Sequence, residues 1–346
     1  MQGVSVVIPA FNAQGTIFAA VESILNQSLP PAEVIVVNDG STDGTRSVLD
    51  GFGSSITVLD QSNAGLAAAR NAGCSAARAE LIAFMDADDL SRPYRLSIQT
   101  RMLEQNSDSV LCHAEFSSFG EGKPNERFHG TYYRAMGRHA ALAADTFQNI
   151  RKQVCHFQDN GIDHAYTAMV GEIRPLLAHG NVVHPPTMMF RRSLWALVGP
   201  FDKTLRNMCD WEWIFRASQM GPFCFIDASV LDYRLSPGQL SGAAHRTEAL
   251  LDVIEVATRI VRAAPGLYAR EKAVFDADFA EFQIDLARSL AGKDRKSAIS
   301  ALLQSFRYKF LPSSVASVAA QIALPTGLVQ WIKALKGRGG DQSDGT

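Results

Sequence analysis

Four short apolar runs, separated by helix-like stretches, dominate the first hundred residues. They lie at residues 4–8, 33–37, 56–59 and 81–85. Continuous apolar runs of this length are typical of strands that are covered on both faces, as in a parallel sheet. Apolar residues recur with helical spacing at 14–27, and the small residues at 65–73 predict a helix that can pack close to the sheet. This alternation predicts right-handed βαβ units and an α/β fold.

The fourth run ends in an acidic turn, Asp86-Ala87-Asp88-Asp89. In an open α/β sheet, ligands bind just beyond the carboxyl ends of the strands, so these carboxylates lie where chemistry is expected. Carboxylates this close repel one another unless a positive charge lies among them. A hard divalent cation that also binds phosphate oxygens would relieve the repulsion. Taken alone, the triplet is equally consistent with a surface turn that caps the next helix.

The turn after the first run does not have the sequence of a dinucleotide-binding site. Rossmann domains share the predicted architecture, but they have a G-x-G-x-x-G turn after the first strand. Here Pro9-Ala10-Phe11-Asn12 occupies that place. An NAD-dependent enzyme is therefore disfavoured.

Four segments in this half of the chain together resemble the family 2 glycosyltransferases, which have the GT-A fold and invert the anomeric carbon. They are residues 4–12, 36–45, 63–71 and 84–89. The resemblance implies a Rossmann-like, mostly parallel sheet flanked by helices, and the apolar pattern after Arg246 predicts a helical extension at the C-terminus. It also implies a nucleotide-diphosphate sugar, with a UDP-sugar as the expected donor.

The same resemblance assigns roles to individual residues. The acid of the second-strand loop contacts the nucleotide base in such enzymes, which points to Asp39, although Asn38 stands where the family often has another acid. Asp86 is expected toward the ribose and Asp88 on Mg²⁺ or Mn²⁺, while Asp89 assists or caps the next helix. The substrate-binding set, in chain order, is Pro9, Asn12, Asp39, Arg70 and Asp86. Arg70 would supply a further positive contact, or lies simply on a helix surface.

A second group of segments, at residues 184–193, 198–202 and 209–216, resembles the other half of the family. The family's usual Glu-Asp pair is Cys209-Asp210 here, and the match makes Asp210 the general base that deprotonates the acceptor hydroxyl. Partial burial near Trp211 and Trp213 would tune such a carboxylate. The alternative role, N-cap of a helix at 211–219, is compatible with catalysis. Tyr233-Arg234 and Ser241 resemble the stretch that closes the catalytic domain.

Composition narrows the function classes further. Of the 346 residues, 47% are hydrophobic and 20% charged, and the formal net charge is −2. These values fit a globular protein and give no support to nucleic-acid binding. The five cysteines are never spaced as C-x-x-C, which favours free thiols in a reducing compartment over a zinc site. We found neither a signal peptide nor a convincing spanning segment, so a cytoplasmic location is expected.

The patterns predict four parts of the chain. Residues 1–110 form the nucleotide-sugar half of the catalytic domain, 111–245 the acceptor half, 246–338 a helical extension and 339–346 a disordered tail. Much of 131–180 is helical in composition, and its four histidines are expected to sit singly rather than on a metal. They are His139, His156, His164 and His179.

The end of the chain suggests a peripheral membrane contact. No charged residue occurs from Phe310 to Ile332, and prolines make a single spanning helix improbable. Two short helices, near 313–324 and 326–336, are predicted instead, with lysines and arginines on either side. The second would present Leu328, Val329, Trp331, Ile332 and Leu335 to the inner face of a membrane.

The resemblance, together with the acidic turn, implies an inverting, metal-dependent glycosyltransferase with a glycan or lipid-linked acceptor, in cell-surface glycan or polysaccharide synthesis. A sugar-nucleotide nucleotidyltransferase is the alternative enzyme, but the glycine-rich basic loop of that class is missing after the first strand. A non-catalytic nucleotide-sugar-binding protein on the same fold is the third possibility. Retention of Asp39, Asp86, Asp88 and Asp210 together argues against it. The sequence predicts no oligomeric state.

Overall fold

A computed structural model describes residues 3–121, 123–133, 150–159, 162–236 and 246–323. The chain divides into two compact units, Met1–Gln239 and Leu240–Thr346. Among the described residues, the first unit contains every strand, whereas the second consists of helices.

The described strands, in chain order, are β1 Val4–Ala10, β2 Glu33–Asp39, β3 Thr57–Gln61, β4 Leu81–Phe84, β5 Leu90–Ser91, β6 Leu111–Gly120, β7 Arg151–Asp159, β8 Ile162–Gly171, β9 Met189–Arg191 and β10 Phe223–Leu235. The described helices of the first unit are α1 Ile17–Leu25, α2 Thr45–Asp50, α3 Leu66–Ala76, α4 Arg95–Gln105, α5 His129–Tyr132, α6 Arg174–Leu177, α7 Arg192–Val198 and α8 Cys209–Ala217. Those of the second unit are α9 Arg246–Ala263, α10 Pro265–Arg270, α11 Lys272–Leu290, α12 Arg295–Ser305 and α13 Pro312–Ala323.

The strands form one mixed sheet in the order β3-β2-β1-β4-β9-β6-β10-β8-β7, with β5 paired to β10. The first four strands are parallel, as predicted. The short strand β9 runs antiparallel to both β4 and β6, and β6 and β10 are again parallel. The sheet therefore joins a parallel N-terminal half to a mixed C-terminal half at β9.

Buried aliphatic side chains explain why the four apolar runs become central strands. Every residue of β1 and β4 is buried, so both faces of these strands are covered. The small-residue helix α3 packs close to the sheet, as predicted. A Cβ atom added at Gly73 would lie 2.2 Å from Val7 Cγ1, so only glycine allows α3 to approach β1 this closely.

The helical prediction for residues 131–180 is wrong for much of this region. Strands β7 and β8 form an antiparallel hairpin there. Phe157 of β7 and Tyr166, Ala168 and Val170 of β8 are buried, and the three in β8 recur at every second position. This period of two places one face of the hairpin on the core, and burial outweighs a helix-favouring composition. Residues 134–149 lie outside the described part of the chain.

The second unit buries a small core of its own between α11, α12 and α13. Ile284 and Ala287 of α11 pack with Ala301 of α12 and Val318 of α13. Helix α13 corresponds to the helix predicted at 313–324. The helix predicted at 326–336 and the tail predicted at 339–346 lie outside the described residues. None of the helices in the described residues combines the length and the apolar character that crossing a bilayer requires.

Candidate active site

The carboxyl ends of β1, β2 and β4 bring three polar loops together. The three strands are parallel neighbours, so the loops at 10–16, 39–45 and 85–89 emerge at one edge of the sheet. This is the edge at which open α/β sheets bind ligands. The sequence-predicted residues Asn12, Asp39, Asp86 and Asp88 therefore share one side of the molecule.

Asp39, the last residue of β2, is buried and held by three donors. Its Oδ1 atom accepts from Gln61 Nε2 at 2.7 Å and from the backbone N–H of Ala64 at 2.9 Å. Its Oδ2 atom accepts from the N–H of Gly65 at 2.9 Å. A carboxylate has about four acceptor positions, so one remains on Oδ2.

The first and second loops are joined by reciprocal hydrogen bonds. Asn12 adopts a left-handed backbone conformation with φ 51°, its N–H donates to Ser41 Oγ, and its Oδ1 accepts from the N–H of Thr42 at 2.8 Å. The Asn12 side chain thus fixes the loop after Asp39. Pro9 is buried within β1, opposite Val37 of β2, so it shapes the strand rather than offering an exposed contact.

Arg70 lies buried on α3 beneath the acidic turn, not on a helix surface. Its Nη2 atom is 3.3 Å from Asp86 Oδ1, and its guanidinium lies 5.4 Å from the centre of the Phe84 ring. Burial opposes the charge of Arg70, but the nearby negative groups, among them Asp86 and Asp210, outweigh burial and raise the pKa of the guanidinium. The positive charge predicted among the carboxylates is therefore present in the protein itself.

The third acid of the turn, Asp89, has a structural role that sequence reasoning missed. It is fully buried, and its Oδ1 atom accepts from the backbone N–H of Arg234 in β10 at 2.9 Å. Arg234 Nε in turn donates to the backbone oxygen of Asp88 at 2.8 Å. Burial, followed by the charges of Asp86 and Asp88, raises the pKa of Asp89 well above its ordinary value. Asp89 therefore connects the acidic turn to β10. It does not cap the next helix, because α4 begins at Arg95.

Asp210 is the second residue of α8 and is not the N-cap, which is Met208. Its Oδ2 atom accepts from Asn181 Nδ2 at 3.0 Å. Its Oδ1 atom is buried and has no hydrogen-bond partner among the described residues. Burial raises the pKa of Asp210. Arg70 and the backbone N–H groups of Trp211 and Asp210 lower it, and the charge of Asp86 adds to the increase, so the net direction is upward.

Two buried tryptophans hold α8 in place. Trp211 Nε1 donates to the backbone oxygen of Leu177 at 2.7 Å, and Trp213 Nε1 donates to that of Gly199 at 2.8 Å. Glu212 points into a different environment, where both its oxygens bind Arg216 at 2.7 and 2.9 Å. Glu212 is therefore part of a structural ion pair, whereas Asp210 keeps one carboxylate oxygen unengaged.

Asn181 and an aromatic cluster near it were not predicted as part of the site. Asn181 Oδ1 accepts from the N–H of Val183 at 3.0 Å, which fixes the amide so that Nδ2 faces Asp210. Three residues after Asn181, His184 stacks on Phe116 with ring centres 4.1 Å apart, and its Nδ1 atom lies 3.1 Å from the Tyr133 hydroxyl. Burial, aided by nearby positive groups, lowers the pKa of His184 well below its ordinary value. The sequence motif at 184–193 indicated that this region belongs to the site, but nothing in the motif indicated a role for Asn181.

The histidines of the middle region are dispersed as far as they are described. His156 is exposed and lies 3.4 Å from Asp163, and His179 is buried. His139 and Ser241 lie outside the described residues. Within the described ranges, no group of three or more histidine, cysteine, aspartate or glutamate side chains could hold a metal ion on its own.

The donor atoms at the acidic turn nevertheless fit a hard divalent cation. Asp86 and Asp88 provide carboxylate oxygens, and both side chains are partly exposed at the ligand-binding edge. Mg²⁺ is commonly bound by one or two carboxylates together with substrate phosphates and waters, rather than by a complete protein cage. The two acids match that donor set.

Residues 5–161 match the family model described as Glycosyl transferase family 2. EpsH of Bacillus subtilis strain 168, whose name assigns it to the glycosyltransferases, is 36% identical over 123 residues, or 34% of this chain and 36% of EpsH. The uncharacterized glycosyltransferase YibD of Escherichia coli K12 is 34% identical over 136 residues, or 37% of this chain and 40% of YibD. TuaG of B. subtilis, named for teichuronic acid biosynthesis, is 34% identical over 134 residues, or 36% of this chain and 51% of TuaG. The chain thus spans about a third to a half of these relatives.

Two solved structures resemble the whole fold. The mannosyltransferase PcManGT from Pyrobaculum calidifontis, in complex with GDP-Man and Mn²⁺, superposes with a TM-score of 0.54 at 17% identity, covering 96% of this chain and 83% of that one. Residues 1–349 of S. aureus TarS, in complex with UDP-GlcNAc, give a TM-score of 0.52 at 15% identity, covering 89% of this chain and 90% of that one. At these identities the likeness concerns the fold, which is GT-A-like with C-terminal helices.

Proposed function

Because residues 5–161 match the model of glycosyl transferase family 2, we propose that this chain is an inverting glycosyltransferase that moves a sugar from a nucleotide-diphosphate sugar to a hydroxyl acceptor. One observation carries the proposal. Arg70, Asp86 and Asp210 come from three distant segments and act on one another electrostatically at the ligand-binding edge of the sheet. A charged cluster at this edge, with Arg70 3.3 Å from Asp86, suits a reaction in which a diphosphate leaves.

The loops after β1 and β2 would bind the nucleotide. Asp39 keeps one acceptor position on Oδ2, which suits an N–H of a nucleobase, and Asn12 holds the adjoining loop in shape. Asp86, in the loop after β4, would contact the ribose. The structural neighbours bind UDP-GlcNAc and GDP-Man, which supports a nucleotide-diphosphate sugar here, with a UDP-sugar as our first choice.

The acidic turn would meet the diphosphate. Asp88, with Asp86 beside it, would hold Mg²⁺ or Mn²⁺, which as a Lewis acid stabilises the charge of the leaving diphosphate. The Mn²⁺ in the PcManGT complex supports this choice. Arg70 stays protonated and limits the repulsion between the carboxylates and the incoming phosphates.

Asp210 would be the general base. In a single displacement its free Oδ1 atom takes the proton of the acceptor hydroxyl while the acceptor oxygen bonds to C1 of the sugar. The bond from C1 to the phosphate oxygen breaks, and the nucleoside diphosphate leaves with the electron pair. A base works best when its pKa is close to the operating pH, and burial raises the pKa of Asp210 in that direction.

The acceptor is proposed to be a glycan or lipid-linked saccharide in cell-surface polysaccharide synthesis. The name of TuaG, which refers to teichuronic acid biosynthesis, supports this class of acceptor. We place the reaction in the cytoplasm, at or near the inner face of the membrane. All five cysteines fall within the described residues and are free thiols, which fits a reducing compartment.

The test starts with a screen of sugar nucleotides for Mn²⁺-dependent thermal stabilisation, because a ligand at 100 times its Kd adds about 2.7 kcal/mol to stability. With the selected donor, release of free nucleoside diphosphate is then measured for the parent, Asp210→Asn and Glu212→Gln. We expect Asp210→Asn to bind donor normally and to lose turnover by roughly 10²- to 10⁴-fold. Glu212→Gln should lose far less, because its ion pair with Arg216 is remote from the reaction.

Different failures would point to different conclusions. If the parent binds donor without releasing nucleoside diphosphate when acceptors are supplied, the chain is a binding protein. If it instead forms sugar nucleotides from a sugar phosphate and a nucleoside triphosphate, it is a nucleotidyltransferase. A larger loss for Glu212→Gln than for Asp210→Asn would move the base to Glu212.

A further inference from the structure

The C-terminal part of the chain has an unusual charge distribution. From residue 295 to residue 340 there is no aspartate or glutamate, although the chain as a whole has a formal net charge of −2. The same stretch has seven basic residues, namely Arg295, Lys296, Arg307, Lys309, Lys333, Lys336 and Arg338. The acid just before the stretch, Asp294, is engaged as the N-cap of α12, where its side chain accepts from the N–H groups of Lys296 and Ser297. The stretch is therefore strongly positive.

Within this stretch, helix α12 and the turn after it expose a row of large apolar side chains. Ile299 is 42% exposed, Leu303 58%, Phe306 43% and Phe310 62%. The steps of four, three and four residues place them along one side of a helical path. We call these four residues the α12 stripe.

The α12 stripe is distinct from the face of α12 that packs in the second unit. Ala298, Ala301, Leu302 and Ser305 are the buried residues of the helix. Outside that face, the rings of Phe306 and Phe310 contact each other edge to face, with centres 5.5 Å apart. Two partly exposed phenylalanines in contact with each other gain by entering an apolar medium.

Basic side chains lie at both ends of the α12 stripe. Arg295 and Lys296 are exposed at the start of α12, and Arg307 and Lys309 are exposed between the two phenylalanines. Helix α13, which follows, has no charged residue, and its exposed positions are occupied chiefly by serine and alanine. Nothing in this described stretch after Asp294 would repel an anionic surface.

We propose that the α12 stripe is a membrane-binding surface that recognises anionic phospholipids. The apolar side chains enter the boundary between headgroups and acyl chains, and the flanking cations meet the phosphates. A row of bulky apolar residues between cations matches the two chemical layers of a bilayer surface. This surface differs from the one predicted for residues 326–336, which lie outside the described part of the chain, and it does not depend on the proposed glycosyl transfer.

The experiment measures co-sedimentation of the full chain with phosphatidylcholine vesicles, with and without phosphatidylglycerol. We expect binding to the anionic vesicles only, and weaker binding as salt is added. Each cation near the surface accounts for about a fivefold change in affinity. The double variant Arg307→Gln with Lys309→Gln should therefore bind about 25-fold more weakly. Leu303→Ser should weaken binding at least tenfold, because the variant loses the free energy gained when a leucine side chain moves from water into the membrane.

Leu197→Ser is the matched control, since Leu197 on α7 is 72% exposed but lies in the first unit. It should bind vesicles like the parent, and circular dichroism should show that every variant is folded. Equal binding of the parent and Leu303→Ser, or equal binding to neutral and anionic vesicles, would overturn the proposal. The proposal would also be overturned if the parent failed to bind vesicles and instead dimerised through this surface. Light scattering would then show a dimer for the parent and a monomer for Leu303→Ser.

Discussion

Replacing Asn181 with alanine tests how the carboxylate of Asp210 is prepared for proton transfer. Asn181 Nδ2 donates to Asp210 Oδ2 at 3.0 Å, and the bond from the Val183 N–H to Asn181 Oδ1 fixes the direction of the amide. A hydrogen bond donated to a carboxylate stabilises its charged form. Its loss should raise the pKa of Asp210 further, in the direction that burial already sets.

The size of the effect follows from the strength of this one bond. A hydrogen bond to a charged group contributes about 1.5–3 kcal/mol. Since 1.36 kcal/mol corresponds to a factor of ten in rate, Asn181→Ala should lower kcat by about 10- to 150-fold at acidic pH. The loss should shrink as pH rises and Asp210 ionises in both proteins. The KM for the donor should stay unchanged, because Asn181 faces the base rather than the nucleotide loops.

The assay is nucleoside diphosphate release as a function of pH, with Asn106→Ala as the control. Asn106 also makes one donated and one accepted side-chain bond, to the Met102 oxygen at 2.9 Å and from Arg151 at 2.7 Å. It joins α4 to β7, away from Asp210, so it should not move the pH profile. An unchanged profile for Asn181→Ala would refute the reasoning, and a shift of equal size in Asn106→Ala would attribute the effect to general loosening.

Three further predictions concern the acidic turn and the sheet. Asp88→Asn should keep the fold but lose the thermal stabilisation by Mn²⁺ and donor; a variant stabilised like the parent would exclude Asp88 as the metal ligand. Gly73→Ala should lower the free energy of unfolding in urea by about 1–3 kcal/mol, because its Cβ would lie 2.2 Å from Val7 Cγ1, whereas Gly266→Ala, which meets nothing within 4 Å, should not. The pKa of Asp89 is raised in the folded state, so its contribution to stability falls as pH rises toward neutrality. As pH rises from acidic to neutral, the free energy of unfolding of Asp89→Asn should therefore increase relative to that of the parent. If urea unfolding shows the same difference between the two proteins at every pH, this assignment is contradicted.

The N-terminal half of the fold could be predicted from sequence because its signals are local. Apolar runs long enough for one strand, closed by prolines, glycines and acids, predicted β1 to β4 and the helices between them. The same runs placed Asp39 and Asp86 at strand ends, since a parallel sheet has all its carboxyl ends on one edge. The candidate acids could therefore be named before any coordinates were known, although their roles remain predictions.

The middle of the chain could not be predicted in the same way. The helical prediction rested on the composition of residues 131–180 as a whole, and it overlooked the period of two that β8 shows within this region. A strand gains stability from neighbours that lie far away in sequence, so its own residues are a weak guide. The helical prediction failed there for this reason.

Tertiary structure alone decided what each acid does. Five carboxylates at the site look alike in sequence, but folding brings Arg234 to Asp89, Asn181 to Asp210 and Arg70 to Asp86. These partners lie 145, 29 and 16 residues away from their acids along the chain. Burial and hydrogen-bond partners set the protonation and the free lone pairs of a carboxylate. The sequence by itself therefore named the candidate acids, whereas only the folded chain brought Arg234 to Asp89 and Asn181 to Asp210 and left Asp210 Oδ1 without a hydrogen-bond partner among the described residues.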